Sequence, residues 1–104
     1  MPMTTEKIRS ALLACEAILA KEANREGVTM AVRDMDADTT ARRTSHMLWM
    51  ARQSLQLLED GRREKVLRWL GFLQGALWAA RLLTIDELKA QNRPDDVEHD
   101  KERI

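Results

Sequence analysis

Any fold for this chain must accommodate Val66 to Leu83, which reads Val-Leu-Arg-Trp-Leu-Gly-Phe-Leu-Gln-Gly-Ala-Leu-Trp-Ala-Ala-Arg-Leu-Leu. At about 100° per residue, Leu70, Leu77, Val66, Leu73, Ala80, Trp69, Ala76, Leu83 and Phe72 fill one broad arc. Leu67, Trp78 and Leu82 fall on the other side. A helix apolar almost all the way round needs neighbours on at least two sides. The expectation is therefore a rod enclosed by its own bundle or by a second copy of the chain.

The other segments supply helices to surround it. Thr4 is positioned as an N-cap, and Ile8, Ala11, Leu12, Cys15, Ile18, Leu19 and Ala23 then repeat at helical spacing up to Gly27. A second helix runs from Thr39 or Thr40, capped by Asp38, to Glu59. Its apolar half holds Thr44, Met47, Leu48, Met50, Ala51, Leu55, Leu57 and Leu58. Asp60-Gly61 is a tight break, with Gly61 closing the second helix and Asp60 capping the third. Thr84-Ile85-Asp86-Glu87 is a capping box, and Leu83 with Leu88 take the positions of a hydrophobic staple. Asn92 and Pro94 then stop a short fourth helix.

The predicted fold is all-α. It is a small bundle of three main helices, about 5–25, 39–59 and 62–83, with a short fourth helix at 85–91. Residues 1–94 form one helical domain, and 95–104 form a charged tail with too little apolar surface to offset the entropy of ordering it. Between the first two helices, Val28, Met30 and Val32 alternate as in a strand, and Asp34, Asp36 and Asp38 make a polar run. An isolated strand has no partner, so the reading is an extended linker whose three apolar side chains cover part of the core. The acidic run lacks the Gly and Glu that a calcium loop needs at its sixth and twelfth positions, where Thr39 and Ser45 stand.

Charge argues against a partner attracted by global field. The net charge is zero, but residues 1–41, 42–81 and 82–104 carry about −2, +5 and −3. The basic residues Arg42, Arg43, Arg52, Arg62, Arg63, Lys65 and Arg68 gather toward the junction of the second and third helices. Arg42, Arg43, Arg62, Arg63, Lys65 and Arg68 are candidate contacts for phosphates or an acidic protein surface. One cysteine, Cys15, lies on the first apolar stripe and reads as a small buried hydrophobe. It excludes an internal disulfide framework and fits a reducing compartment. The run before it is too short for a secretory segment, and Trp69 to Ala80 is too short for a membrane span. A cytoplasmic location without membrane contact is expected.

Catalysis, cofactors and metals have no constellation to stand on. His46 and His99 are the only histidines, and no pair of nucleophile and base is legible. The reading is a non-enzyme with no cofactor. Two features point instead to protein contact. Trp49 falls in the polar half of the second helix, where it meets either a covering segment, such as the linker's Val28, Met30 and Val32, or a partner. His46, Arg52, Gln53 and Gln56 surround it as a candidate protein-binding site. Gly71, Gly75 and Ala79 recur every fourth residue and form either a close-packing groove within the fold or a dimer seam.

Ser45-His46-Met47-Leu48-Trp49-Met50, Glu64-Lys65, Arg68-Trp69-Leu70-Gly71-Phe72, Gln74-Gly75-Ala76-Leu77-Trp78 and Thr84-Ile85-Asp86-Glu87-Leu88 carry a resemblance. Over roughly residues 45–96 the chain resembles a group of small uncharacterised proteins encoded by tailed bacteriophages and prophages. The resemblance implies a phage-derived protein acting inside a bacterium, and implies no activity. The functional expectation is a non-enzymatic interaction module, a homodimer that also binds and inhibits a host protein complex such as a defence or transcription machine. The rival is a small nucleic-acid-binding or regulatory protein using the basic residues between 42 and 68.

Overall fold

The computed structural model describes residues 3–93. Four helices follow one another: α1 (Thr5–Arg25), α2 (Thr40–Glu59), α3 (Arg63–Ala79) and α4 (Ile85–Asn92). No strand occurs among the described residues, and the segment between α1 and α2 is a loop. The tail expected over 95–104 lies outside the described residues.

Local chemistry sets the helix ends. Thr4 accepts the backbone N–H of Lys7 at 3.1 Å and starts α1. Thr39, not Asp38, caps α2 by accepting the N–H of Arg42 at 3.2 Å. Asp38 instead receives a hydrogen bond from the Arg42 guanidinium at 2.7 Å, so its carboxylate is spent on a side chain. Asp60 does not cap α3: it is the C-cap residue of α2 and accepts from Gln56 Nε2 at 3.2 Å. Arg62 stands at the α3 N-cap without a side-chain cap bond. The capping box of α4 is complete, with Glu87 N–H on Thr84 Oγ1 at 3.1 Å and Thr84 N–H on Glu87 Oε1 at 2.8 Å.

All three long helices close in the same way. Val28 donates to the carbonyl of Ala23, Arg62 to that of Leu57 and Leu82 to that of Leu77. Each closure needs a residue in the left-handed region. Gly27 and Gly61 supply it at φ 74° and 79°, and Arg81 supplies it at φ 63°. This explains why α3 stops at Ala79 rather than at 83: the chain turns at Arg81 and gives Thr84 room to start α4. A side chain at such a φ costs about 1 kcal/mol or more relative to glycine. Arg81→Gly is therefore expected to stabilise the protein by about 1 kcal/mol in urea unfolding, and a loss of stability would place a compensating contact on the guanidinium.

α2 lies between α1 and α3. Arg9 of α1 bonds Glu59 of α2 at 2.7 Å, and Arg52 of α2 bonds Glu16 of α1 at 3.2 Å, so the two run antiparallel. Arg63 at the start of α3 donates to the Met3 carbonyl and to Thr5 Oγ1 at 3.4 Å, which sets α3 alongside α1. Ile8, Leu12, Cys15 and Leu19 of α1 meet Leu48, Ala51 and Leu58 of α2 and Val66, Leu70, Leu73 and Leu77 of α3 in one core. Burial pushes the Cys15 thiol up to about 11, in keeping with a packed and unreactive sulfur.

The core also holds one polar side chain of α3 that periodicity did not single out. Gln74 Nε2 donates to Gln91 Oε1 and to Asn92 Oδ1, both at 2.9 Å, and Asn92 Nδ2 donates back to Gln74 Oε1 at 3.3 Å. Three amides thus fasten the end of α4 to the middle of α3 above Cys15, whose Sγ is 3.9 Å from Gln91 Oε1.

The enclosure expected of the third helix is not met. Its buried side chains, Val66, Leu70, Leu73, Gln74 and Leu77, occupy one arc. Leu67, Gly71, Phe72, Gly75, Trp78 and Ala79 are all exposed. Among the described residues α3 has two long neighbours and an eight-residue α4, which leave one flank without a cover. The linker is no substitute. Met30 is 70 % exposed and Val32 41 %, and only Val28 and Ala31 reach the core.

Candidate interaction surface

Two adjoining features make up the surface: the open flank of α3 and a cleft beside it. On the flank, Gly71 and Gly75 form the bottom, with Phe72, 55 % exposed, on one side and Trp78, 52 % exposed, on the other. Leu67 and Ala79 extend it at either end. A Cβ placed on Gly71 or Gly75 meets nothing within 4 Å among the described residues. The small residues therefore do not serve close packing inside the fold, which corrects one of the two readings of the stripe. Each helix-interior glycine lowers stability by about 1 kcal/mol relative to alanine, and no contact among the described residues offsets that.

The cleft measures about 850 Å³ and opens at the end of the bundle where α1 finishes, α2 begins and α3 finishes. Its floor is Met47, Phe72, Ala76, Ala79, Ala80 and Leu82, and its rim carries Glu22, Arg25, Glu26, Asp34, Arg43 and His46. Phe72 and Ala79 belong to both features, so flank and cleft are continuous. Glu22 is held below the usual carboxylate range by its hydrogen bond from Arg25. Oε1 of Glu26 is buried without a hydrogen-bond partner among the described residues.

The loop that forms one cleft wall is fastened to α2. Ser45 Oγ accepts the N–H of Val32 at 3.1 Å and donates to the Met30 carbonyl at 2.7 Å. The Asp34 N–H donates to His46 Nδ1 at 2.9 Å. Arg42 grips the Asp34 carboxylate at 2.7 and 2.9 Å, which holds that carboxyl below its ordinary range. The acidic run therefore serves as a clamp for Arg42. Among the described residues, no group of three His, Cys, Asp or Glu side chains is placed to hold a metal.

The α2 group expected around Trp49 is partly brought together. The Trp49 ring stacks on His46 with centroids 5.7 Å apart and meets Trp69 of α3 at 6.0 Å. Lys65 sits over Trp69 at 5.1 Å. Trp49 is thus partly covered, by Trp69 of α3. Arg52 is drawn to Glu16 and Gln56 to Asp60, and Gln53 is exposed.

The basic residues do not form one patch. Arg42 and Arg43 lie in the first turn of α2, whereas Arg62, Arg63, Lys65 and Arg68 lie past its other end. At about 1.5 Å per residue the two sets stand roughly 25 Å apart. Sequence proximity misleads here because the helix between them is straight and long. Most of these side chains already have partners: Arg42 on Asp34 and Asp38, Arg43 on the Ala37 carbonyl, Arg63 on Met3 and Thr5, and Arg68 on Glu64 at 3.7 Å.

No helix among the described residues is long and apolar enough to cross a membrane. Comparison of the chain with known protein families, curated proteins and solved structures finds no match.

Proposed function

We propose that this chain is a non-enzymatic protein-interaction module that works through the open flank of α3. One observation carries the reading: Phe72, Trp78 and Leu67 stay exposed around two glycines whose open side no described residue fills. Contiguous apolar surface of this kind marks contact sites on soluble proteins, and aromatic residues concentrate at the centres of such contacts. The likeness to phage-encoded proteins supplies the setting, a bacterial cytoplasm in which the module binds a host protein complex stoichiometrically and blocks it. Trp49 and His46 then support the surface from behind through Trp69. Phosphate binding has less support, because the basic residues are divided between two ends of α2 and mostly paired within the chain.

The test compares two baits, the wild-type chain and a Phe72→Glu/Trp78→Glu variant, against a bacterial host lysate. Both must show the same helix content by circular dichroism. A protein retained at near-equal amount by the wild type and lost from the variant is the expected result. Identical retained sets from both baits overturn the flank as the working surface.

A further inference from the structure

We propose that the cleft at the end of the bundle is a binding site for a small organic cation, an ammonium or guanidinium on an apolar body, whose charged head is received by Glu26. The proposal concerns a ligand of the cleft and goes beyond the interaction reading, since it needs neither Trp78 nor the glycines of the flank.

The cleft has the size and lining of a ligand site. Its volume of about 850 Å³ lies within the roughly 300–1,000 Å³ common for small-molecule pockets, which set a few polar groups on an apolar lining. Met47, Phe72 and Leu82 give the apolar part, and Glu22 and Glu26 stand on the wall made by the end of α1.

Pairing among the lining residues leaves one carboxylate over. Arg42 takes the carboxylate of Asp34, and Arg25 hydrogen-bonds Glu22. Arg25 reaches Glu26 only at 3.7 Å, on Oε2, which is too long for a hydrogen bond. The Glu26 side chain is 11 % exposed, and its Oε1 is buried with no hydrogen-bond partner among the described residues. A covered carboxylate oxygen without a donor carries a desolvation cost that a donor brought by a ligand recovers.

The nearby cations do not cancel this charge. Arg25 and Arg43 are exposed, so water and salt screen them at the mouth, whereas a charge on a covered side chain is screened much less. α1 and α3 both finish at the cleft and α2 begins there. Two negative dipole ends thus face one positive end, and the end of α1 carries Glu26 itself. Among the described residues no three His, Cys, Asp or Glu side chains converge as a metal ion requires. The cation that fits is therefore organic, with a carbon frame for the floor and a donor for Oε1.

The experiment titrates the isotope-labelled full chain at neutral pH with three probes on one phenyl-alkyl frame: phenylpropylamine, phenylpropanol and phenylbutyrate. Binding is read from amide chemical shifts in the wild type and in a Glu26→Gln variant. The amine is expected to bind the wild type with a dissociation constant on the order of 1 mM. It should move the amides of Glu26, Thr44, Ala76 and Ala80, which line the cleft. The alcohol is expected to bind about tenfold more weakly than the amine, and the carboxylate more weakly still. In Glu26→Gln the amine should fall to the affinity of the alcohol while the alcohol keeps its own. Equal affinity for amine and alcohol in the wild type, or an amine preference that survives Glu26→Gln, overturns Glu26 as the receiving group. A variant that loses the alcohol as well overturns it too, because Glu26 then shapes the cleft rather than holding the head. Absence of shifts up to about 10 mM amine, or shifts confined to Leu67 and Gly71, overturns the cleft as a ligand site. Neither failure touches the bait comparison that tests the flank.

Discussion

Leu73→Ala is expected to remove about 2–5 kcal/mol of stability, read as a lower urea midpoint at unchanged slope. Leu73 is completely buried on the core side of α3, so truncation loses transfer free energy and leaves a cavity that rigid neighbours only partly fill. Against a total stability of about 5–15 kcal/mol for a domain of this size, that is a large fraction. Its neighbour in sequence supplies the control. Phe72 is 55 % exposed, and Phe72→Ala is expected to stay within about 0.5–1 kcal/mol at dilute concentration. Comparable losses at the two positions would mean that α3 is rotated and that the flank is core.

Gln74→Leu is expected to cost about 1–3 kcal/mol, because Gln91 and Asn92 then keep part-buried polar groups without their partner. The loss is local as well as global. α4 has no buried residue of its own, so the amide cluster, Leu88 and its packing against α1 hold it to the bundle. Hydrogen exchange should show protection lost across Ile85–Asn92 while the centres of α1 and α2 keep theirs. Cys15 provides a second reading, since its thiol lies under Gln91 and burial holds its pKa at about 11. Alkylation of Cys15 should speed up about tenfold in the variant, the ratio that corresponds to roughly 1.4 kcal/mol of easier opening. An unchanged alkylation rate would show that α4 is held by something other than the amides.

The caps of α1 and α4 were legible because their chemistry reaches only three residues along the chain, whereas Asp60, expected to cap α3, instead ends α2. Thr4 and the Thr84 capping box act as their spacing predicts, and Gly27 and Gly61 close helices where their φ is needed. The same locality misled at the start of α2, where Asp38 and Thr39 are both good caps and the choice fell to Arg42, whose guanidinium takes the carboxylate. Gln74 gave no signal because a glutamine among apolar residues reads as a break in the pattern until its partners on α4 are known. Trp49 read as stranded because a helical wheel places its Cα and not the reach of an indole toward Trp69. The unequal ends of the basic set were hidden by the same one-dimensional view.

From its residues alone this chain determined that it is helical, that α1 starts at a Thr4 cap and α4 at a Thr84 capping box, and that Cys15 belongs inside, since caps and apolar periodicity are short-range properties. Which side of α3 faces water was decided only in three dimensions. A helix apolar around nearly its whole circumference carries no phase, so the two neighbours it packs against, and the amide lock at Gln74, chose the buried arc and left Gly71, Phe72, Gly75 and Trp78 outside.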